Sequence, residues 1–225
     1  MRSDKDRNIL KQAMKDVKIK TYWLILLTVF LMACANVVTP TGGPKDETPP
    51  KMLSAEPANQ SIHFNQSEIR IYFDEYIRLD KVNEEVLISP PLKNKPVIKV
   101  KGKSVIIQFD EELKDSTTYS ISFGEAIKDI TEGNIIKDLV YSFSTGSTID
   151  KHYIEGIIKD AYSKEVEKDM MVMLYKEDVD SLPLTSQPFY IAKVNDQGRF
   201  RLNNLADRPY KIFALSDINA NLLYD

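Results

Sequence analysis

Residues that build crosslinks and metal centres are scarce in this chain. Cys34 is the only cysteine, and His63 and His152 are the only histidines. A single thiol cannot form an intramolecular disulfide or a multi-thiolate metal site. Two isolated histidines are too few for a histidine-rich zinc site and argue against a two-histidine catalytic centre. The fold must therefore be stabilised by packing, and we expect no catalytic site.

The chain beyond its first 33 residues also lacks an excess of positive charge. The first 33 hold seven basic and three acidic side chains, so the remainder holds 23 basic and 30 acidic ones, a net charge of −7. An acidic body repels phosphate backbones, which argues against nucleic acid as a partner. Nucleotide chemistry is unsupported as well, because neither common glycine-rich phosphate loop occurs.

The N-terminal segment has the order of charged and apolar residues of a secretory signal. Basic residues are followed by a short apolar run from Tyr22 to Cys34, which is the pattern of a cleaved leader. A bilayer-spanning helix needs about 20 apolar residues, whereas this run is soon interrupted by Asn36 and Pro40. We therefore predict a signal peptide over residues 1–33.

The end of this leader resembles the lipobox of bacterial lipoproteins. Leu31, Met32 and Ala33 precede Cys34, although Met32 is bulkier than the residue usual at its position. The resemblance implies that a dedicated peptidase cuts before Cys34 and that the cysteine then carries lipid, such as palmitate. Several acyl chains would anchor the protein durably, since each buried methylene contributes about 0.8 kcal/mol. In the alternative, Cys34 is an inert thiol at the end of an uncleaved anchor.

Residues 34–48 are predicted to be a tether between the lipid and the folded part. They contain several prolines and glycines and little that could be buried. This composition is typical of a linker biased towards extended conformations. A folded domain should therefore begin near residue 49.

Residues 49–147 show the period-two alternation of antiparallel strands. Ile69, Ile71 and Phe73 share one face of a predicted strand. Gly102 lies between two further apolar stretches, where it can supply the positive φ of a hairpin turn. Other inward-facing stripes comprise Tyr119, Ile121 and Phe123, and Tyr141 and Phe143. Six or seven such strands in about 100 residues predict an all-β fold, an antiparallel β-sandwich.

Several short motifs in this segment recur together in a known family. They are Pro49-Pro50-Lys51, Phe73-Asp74-Glu75-Tyr76-Ile77, Ile88-Ser89-Pro90, Thr117-Thr118-Tyr119, Phe123-Gly124 and Phe143-Ser144-Thr145-Gly146. With these motifs, the chain from Cys34 to Asp225 resembles Bacteroidota lipoproteins that carry an S-layer-type bacterial Ig-like domain. The resemblance implies an Ig-like β-sandwich in a cell-envelope protein, which is an architecture rather than a mechanism.

Residues 151–225 repeat the pattern of short strands. A turn is predicted at residues 195–198, where Gly198 can adopt a left-handed conformation. The segment resembles the transthyretin-like or carboxypeptidase-regulatory type of β-sandwich, with looser spacing. Because the pattern stops within a motif at Asp225, we expect this second domain to be incomplete.

Oxygen-bearing side chains near the end of the sequence have a spacing similar to that of calcium loops. Asp217, Asn219, Asn221 and Asp225 occupy loop positions one, three, five and nine, and calcium requires several oxygens around one point. The pattern departs from those loops at position six, where Leu222 replaces the required glycine. The alternative is a turn held by hydrogen bonds of the Asp and Asn side chains. Calcium is the one candidate cofactor.

Acidic residues at strand ends are predicted to be solvated rather than catalytic. Residues 74–75 and 110–112 could supply a carboxylate pair for glycoside hydrolysis, but acids at strand ends also discourage edge pairing. His63 is predicted to point outward from a strand over residues 61–64, and His152 to lie at the domain junction. Neither histidine belongs to a recognisable triad, so we expect no enzyme.

These features together predict a lipid-anchored cell-envelope protein whose Ig-like modules act as a structural, adhesive or presenting scaffold. Its partners would be the membrane, through the lipid, and an envelope protein or glycan. We expect attachment to the outer membrane, facing the periplasm or the cell surface. Two alternatives stay open, namely a glycan- or peptide-binding module that uses loops at one end of the sandwich and accessory domains of a longer enzyme.

Overall fold

The computed structural model describes residues 11–12, 14–15, 17–23, 43–167, 170–217, 219 and 221–224 of the chain. The chain divides into two compact units, Met1–Lys45 and Asp46–Asp225. In the first unit, residues 17–23 are helical and exposed. Within the ranges given above, no helix combines the length and the apolar character needed to cross a membrane.

The second unit consists of short strands, which we group into two modules by their order in the chain. The first module contains β1 (Met52–Glu56), β2 (Glu68–Phe73), β3 (Ile77–Leu79), α1 (Val82–Glu85), β4 (Leu87–Ser89), β5 (Val97–Lys101), β6 (Ser104–Gln108), β7 (Thr118–Ser122), β8 (Ile127–Asp129) and β9 (Val140–Ser144). The second module contains β10 (His152–Ile157), β11 (Met171–Tyr175), α2 (Leu182–Thr185), β12 (Tyr190–Lys193), β13 (Arg199–Leu205) and β14 (Lys211–Leu215). The paired strands run antiparallel, so the predicted all-β class is confirmed.

The first module is a β-sandwich whose sheets contribute to one core. Its sheets have the strand orders β1-β2-β6-β5, β4-β7-β9 and β3-β8. In β2, Ile69, Ile71 and Phe73 are buried in the core. Glu68 and Arg70 alternate with them and form an ion pair of 2.9 Å. The predicted alternation of β2 is confirmed, as the pleat of a strand requires.

Aromatic rings occupy the centre of this core around Phe143. Its ring centroid lies 4.2 Å from that of Phe64 and 5.4 Å from that of Tyr119. The ring centroids of Phe109 and Tyr141 lie 5.9 and 6.1 Å from that of Phe143. Such pairs add about 0.5–1.5 kcal/mol each to the stabilisation from buried area. The aromatic stripes identified in the sequence therefore form the main packing contacts of the module.

The turn between β5 and β6 is the predicted hairpin. Lys101 pairs with Ser104 in an antiparallel register, and Gly102 has a φ of +64°. A tight hairpin turn needs positive φ, which glycine adopts without steric cost. The predicted role of Gly102 is confirmed.

The strand predicted over residues 61–64 is wrong. His63 has a φ of +52° and lies in a bend, and its amide donates to the carbonyl of Gly146 over 2.8 Å. The amide of Phe64 donates to the carbonyl of Ser144 over 2.9 Å. The segment is therefore held by single backbone bonds to the end of β9, and four alternating residues are too few to specify a strand.

The first module also has more strands than the six or seven predicted from the sequence. Its nine strands include β3, β4 and β8, each of three residues. A strand of three residues contains little more than one period of alternation, so no pattern indicates it. These strands form only through pairing with partners elsewhere in the chain.

The second module has its own core between two small sheets. One sheet has the order β12-β11-β14 and the other pairs β10 with β13. Val172 and Leu174 of β11 pack in one cluster with Phe200 and Leu202 of β13. The turn before β13 is as predicted, because Gly198 has a φ of +72°.

Candidate functional site

Hydroxyl side chains cover the outer face of the sheet β4-β7-β9. Ser89, Ser120 and Ser142 are only 6%, 9% and 4% exposed. Tyr119 and Tyr141 alternate with them and enter the aromatic core. Burying a hydroxyl without a hydrogen-bond partner is costly, and the second module supplies the partners of this serine face.

Asn204 of β13 binds two of these serines. The hydroxyls of Ser120 and Ser142 donate to Asn204 Oδ1 over 3.0 and 2.8 Å and lie 3.3 Å from each other. Asn204 Nδ2 donates to the carbonyl of Asp150 over 3.0 Å. The backbone of Asn204 has a φ of +58°, which asparagine adopts more readily than most residues. One amide side chain therefore fastens β7 and β9 to the segment that joins the modules.

Ser89 and Thr118 bind the backbone of the second module and of the junction. The amide of Ile191 donates to Ser89 Oγ over 3.0 Å, and Ser89 Oγ donates to the carbonyl of Ile191 over 3.2 Å. The amide of Asp150 donates to Thr118 Oγ1 over 3.0 Å. Each strand of this sheet is therefore bonded to the segment that follows the first module.

An ion pair joins the modules beside the serine face. Lys193 Nζ lies 2.7 Å from Glu85 Oε1, and the amide of Glu125 donates to Glu85 Oε2 over 3.2 Å. Burial alone would raise the pKa of Glu85, but the hydrogen bonds from Lys193 and Glu125 outweigh burial and lower it. Gly124 is needed here, because an added Cβ would lie 2.6 Å from Glu85 Oε2.

An open cleft of about 1340 Å³ lies next to this interface and is lined by both modules. Arg201 on its wall holds its guanidinium carbon 4.2 Å from the centroid of the Tyr153 ring. The same guanidinium donates to Glu155 and, over 2.8 Å, to Asn203 Oδ1. These groups could hydrogen-bond a polar ligand. Ser89 and Ser120 also line the cleft, and their hydroxyls are bound to Ile191 and Asn204.

The predicted lipidation site lies outside the described residues. Leu31, Met32, Ala33 and Cys34 all belong to that part of the chain. The lipobox and the signal peptide over residues 1–33 therefore stay predictions from the sequence.

The calcium-like loop uses its oxygens to bind its own backbone. Asp217 accepts hydrogen bonds from the amides of Asn221 and Leu222 over 3.1 and 2.9 Å. Asn221 Oδ1 accepts from the backbone amide of Leu223 over 2.7 Å. Asn219 Oδ1 accepts from the backbone amide of Asn221 over 3.1 Å. Asp225 lies outside the described residues. These bonds are those of the turn considered as the alternative, and calcium binding stays a prediction.

The strand-end acids have local roles in the loops. Asp74 Oδ1 accepts from the amide of Lys51 over 2.8 Å, and Glu111 Oε1 accepts from the amide of Lys93 over 2.8 Å. Burial raises the pKa of Glu75, and the nearby negative charges raise it further. In the described residues, no three carboxylate, imidazole or thiol groups come together as a metal site would need.

The serine face was missed by the reasoning from sequence, although a signal for it exists. The outward positions of β7 and β9 carry hydroxyls at Thr118, Ser120, Ser122, Ser142 and Ser144. An outer strand face exposed to water usually carries charged residues. Small hydroxyl residues in their place indicate a face that another element covers.

One part of the chain matches a known family. Residues 46–145 match the sequence model of the bacterial Ig-like domain. No curated protein matches the chain.

Solved structures with some likeness to the chain come from several kinds of protein. The N-terminal part of the bacterial S-layer protein SbsC is 12% identical, with a TM-score of 0.31 over 76% of this chain and 45% of that one. An L,D-transpeptidase from Mycobacterium smegmatis is 11% identical, with a TM-score of 0.31 over 72% of this chain and 79% of that one.

A third structure, BcpA*(D312A), the major pilin subunit of Bacillus cereus, is 12% identical, with a TM-score of 0.23 over 73% of this chain and 58% of that one. The chain thus spans less than half of the S-layer structure. At these values the likeness assigns no function. The sequence match and the antiparallel sheets agree on one conclusion, which is that residues 46–145 form a bacterial Ig-like domain.

Proposed function

We propose that this chain is a lipid-anchored cell-envelope protein whose two β-modules act as a structural or adhesive scaffold. In this proposal it belongs with the Bacteroidota lipoproteins that it resembles, and it is attached to the outer membrane through Cys34. The Ig-like domain is a module on which many unrelated activities occur. The proposal therefore rests on how the modules are joined rather than on the fold.

The interface between the modules is the observation that carries the scaffold function. A buried bond from Ser89 to Ile191 and partly buried bonds from Ser120 and Ser142 to Asn204 link sheets of both modules. Buried polar groups with complete hydrogen bonding specify one arrangement, since any shift would leave them unpaired. Modules linked in this way can hold the second module in a fixed position relative to the first.

Lipid labelling tests the anchor. Cells that express the full chain are grown with a radiolabelled palmitate precursor, and the membrane fraction is examined. We expect label on the wild type and none on Cys34→Ala, which should also leave the membrane fraction. Thr41→Ala, in the predicted tether, is the matched control and should keep both the label and the membrane. A labelled Cys34→Ala variant, or one that stays in the membrane, contradicts the anchor.

A glycan- or peptide-binding module is the second candidate, and the cleft of about 1340 Å³ favours it. Its wall offers the guanidinium of Arg201 and the amide of Asn203 to a polar ligand. A glycan and peptide array probed with the full chain and with Arg201→Ala decides between the two functions. Binding that is saturable and lost in Arg201→Ala supports the binding module, whereas the absence of any bound probe supports the scaffold.

A further inference from the structure

A smaller pocket lies where the first module meets the end of β11. It encloses about 240 Å³, and its lining includes Pro90 and Lys114 of the first module and Lys176 and Phe189 of the second. Sites for whole ligands usually enclose about 300–1,000 Å³. The lysine pocket, as we call it, therefore has room for one small chemical group.

Two ammonium groups meet at one aromatic ring in the lysine pocket. Lys176 Nζ lies 3.1 Å from the centroid of the Phe189 ring, and Lys114 Nζ lies 5.5 Å from the same point. The ring attracts each cation through its negative face. The two like charges repel each other. A negative group placed between them would remove this repulsion.

The ammonium groups of the lysine pocket form no close ion pair in the described part of the chain. Among the ion pairs formed within 4 Å in the described part of the chain, none involves Lys114, Lys176 or Arg208. Burial lowers the pKa of Lys176, and the charges of Arg208 and Lys114 lower it further, although Asp150 opposes them. Glu177 also lines the pocket, yet it is exposed and forms no ion pair there.

The backbone on both sides of the lysine pocket is held by hydrogen bonds. The amide of Lys114 donates to Tyr119 Oη over 2.9 Å, and Thr145 Oγ1 donates to the carbonyl of Lys114 over 2.7 Å. On the other side, the amide of Phe189 donates to the carbonyl of Leu174 over 2.7 Å. Lys114 and Phe189 therefore extend from anchored positions, which reduces the entropy lost when the pocket binds a ligand.

We infer that the lysine pocket binds an oxyanion, a carboxylate, phosphate or sulfate group, between the ammonium groups of Lys114 and Lys176. Ser186 and Gln187 line the same pocket and add a hydroxyl and an amide that can donate to such a group. Charge-assisted hydrogen bonds of this kind are about twice as strong as neutral ones. The group is either a free ion or the acidic end of a sugar. The site does not depend on lipid attachment.

Nuclear magnetic resonance of the full chain in non-ionic detergent tests the site. The protein carries ¹³C-labelled lysine and is titrated at constant ionic strength with inorganic phosphate in one arm and glucuronate in the other. We expect saturable shifts of the Lys114 and Lys176 resonances in at least one arm. The resonance of Lys159, which is exposed and outside the lysine pocket, should not shift.

The variant Lys114→Gln tests the role of the second charge. Lys114 is exposed, so its replacement should leave the fold intact, as circular dichroism will show. We expect the affinity for the probe that binds to fall by about three- to tenfold, and Lys159→Gln to leave it unchanged. Saturation by phosphate alone assigns the site to a phosphate group, and saturation by glucuronate alone to a sugar acid. Absence of saturation in both arms, or unchanged affinity of Lys114→Gln, overturns the inference.

Discussion

Asp129 is a buried carboxylate that holds the loop after β8. Only 1% of its surface is exposed. Its Oδ1 accepts from the backbone amides of Glu132 and Gly133 over 2.6 and 2.8 Å. Its Oδ2 accepts from the backbone amide of Asn134 over 2.9 Å. Burial alone would raise the pKa of Asp129, but these hydrogen bonds outweigh it and lower the pKa below 3.8. The folded loop therefore favours the ionised form.

We expect Asp129→Asn to lower the melting temperature by several degrees at pH 7, because one carboxylate oxygen becomes an amide group that cannot accept. The folded pKa lies below the unfolded value, so this stabilisation is complete above about pH 3.8 and is lost as the pH falls through the folded pKa. Thermal melts of both proteins at pH 7 and in steps below pH 3.8 measure it. A difference that persists undiminished at the lowest pH contradicts this role.

Gly124 combines a positive φ with a close approach of neighbouring atoms. Its φ is +50°, and an added Cβ would meet Glu85 Oε2 at 2.6 Å and the Glu85 carbonyl at 2.9 Å. The second contact is with backbone, which cannot rotate away. Gly102 has a similar φ of +64°, but an added Cβ there would meet nothing within 4 Å.

Replacing each glycine with alanine separates steric contact from backbone strain. We expect Gly102→Ala to cost about 1 kcal/mol of unfolding free energy through the backbone alone. Gly124→Ala should cost a further 1–3 kcal/mol or so, because the methyl group displaces Glu85. Urea unfolding monitored by circular dichroism measures both. Equal losses would show that the contact with Glu85 is relieved without cost.

At the scale of elements, β7 and β9 show two faces with different origins. Tyr119 and Ile121 face the core, as their alternation predicts. Ser120 and Ser142 face outward and are buried only because β13 brings Asn204 against them. Local alternation identifies the inner face, since the pleat sets it. The covering of the outer face depends on residues far away in the chain.

Asn204→Gly tests how much the serine face contributes to stability. Glycine accepts the left-handed backbone of Asn204, so the variant removes the side-chain hydrogen bonds without straining the folded backbone. We expect the unfolding free energy to fall by about 1–3 kcal/mol, because buried hydroxyls lose their acceptor. Asp138→Gly is the matched control, since Asp138 has a φ of +58° and is exposed. A loss no larger than that of the control would mean that water replaces the amide freely.

For the whole molecule, the residues Asp46–Asp225 form one compact unit that contains separate cores in its two modules. A third cluster joins Met173 and Ile191 of the second module with Leu87 of the first. Apolar and polar contacts thus both cross between the modules. Separate cores allow independent unfolding, whereas shared contacts oppose it.

We expect the two modules to unfold in one transition. Hydrogen exchange followed by mass spectrometry at increasing urea concentrations should show that peptides from β2 and from β11 lose protection at the same midpoint. The variant Asn204→Gly should separate the midpoints or bring both down together. Two well-separated midpoints in the wild type would show that the interface is too weak to couple the modules and would weaken the scaffold function.

The sequence by itself determined the all-β class, the inward stripes, the hairpin at Gly102 and the turn at Gly198. These features follow from alternation and backbone preference, which act between neighbouring residues. Tertiary structure alone decided the three-residue strands, the bend at His63, the buried serine face and the lysine pocket. Each of these depends on contacts between distant segments, such as Ser120 with Asn204 and Lys114 with Phe189. Such contacts form only when the chain has folded, so no local pattern shows which distant segments meet.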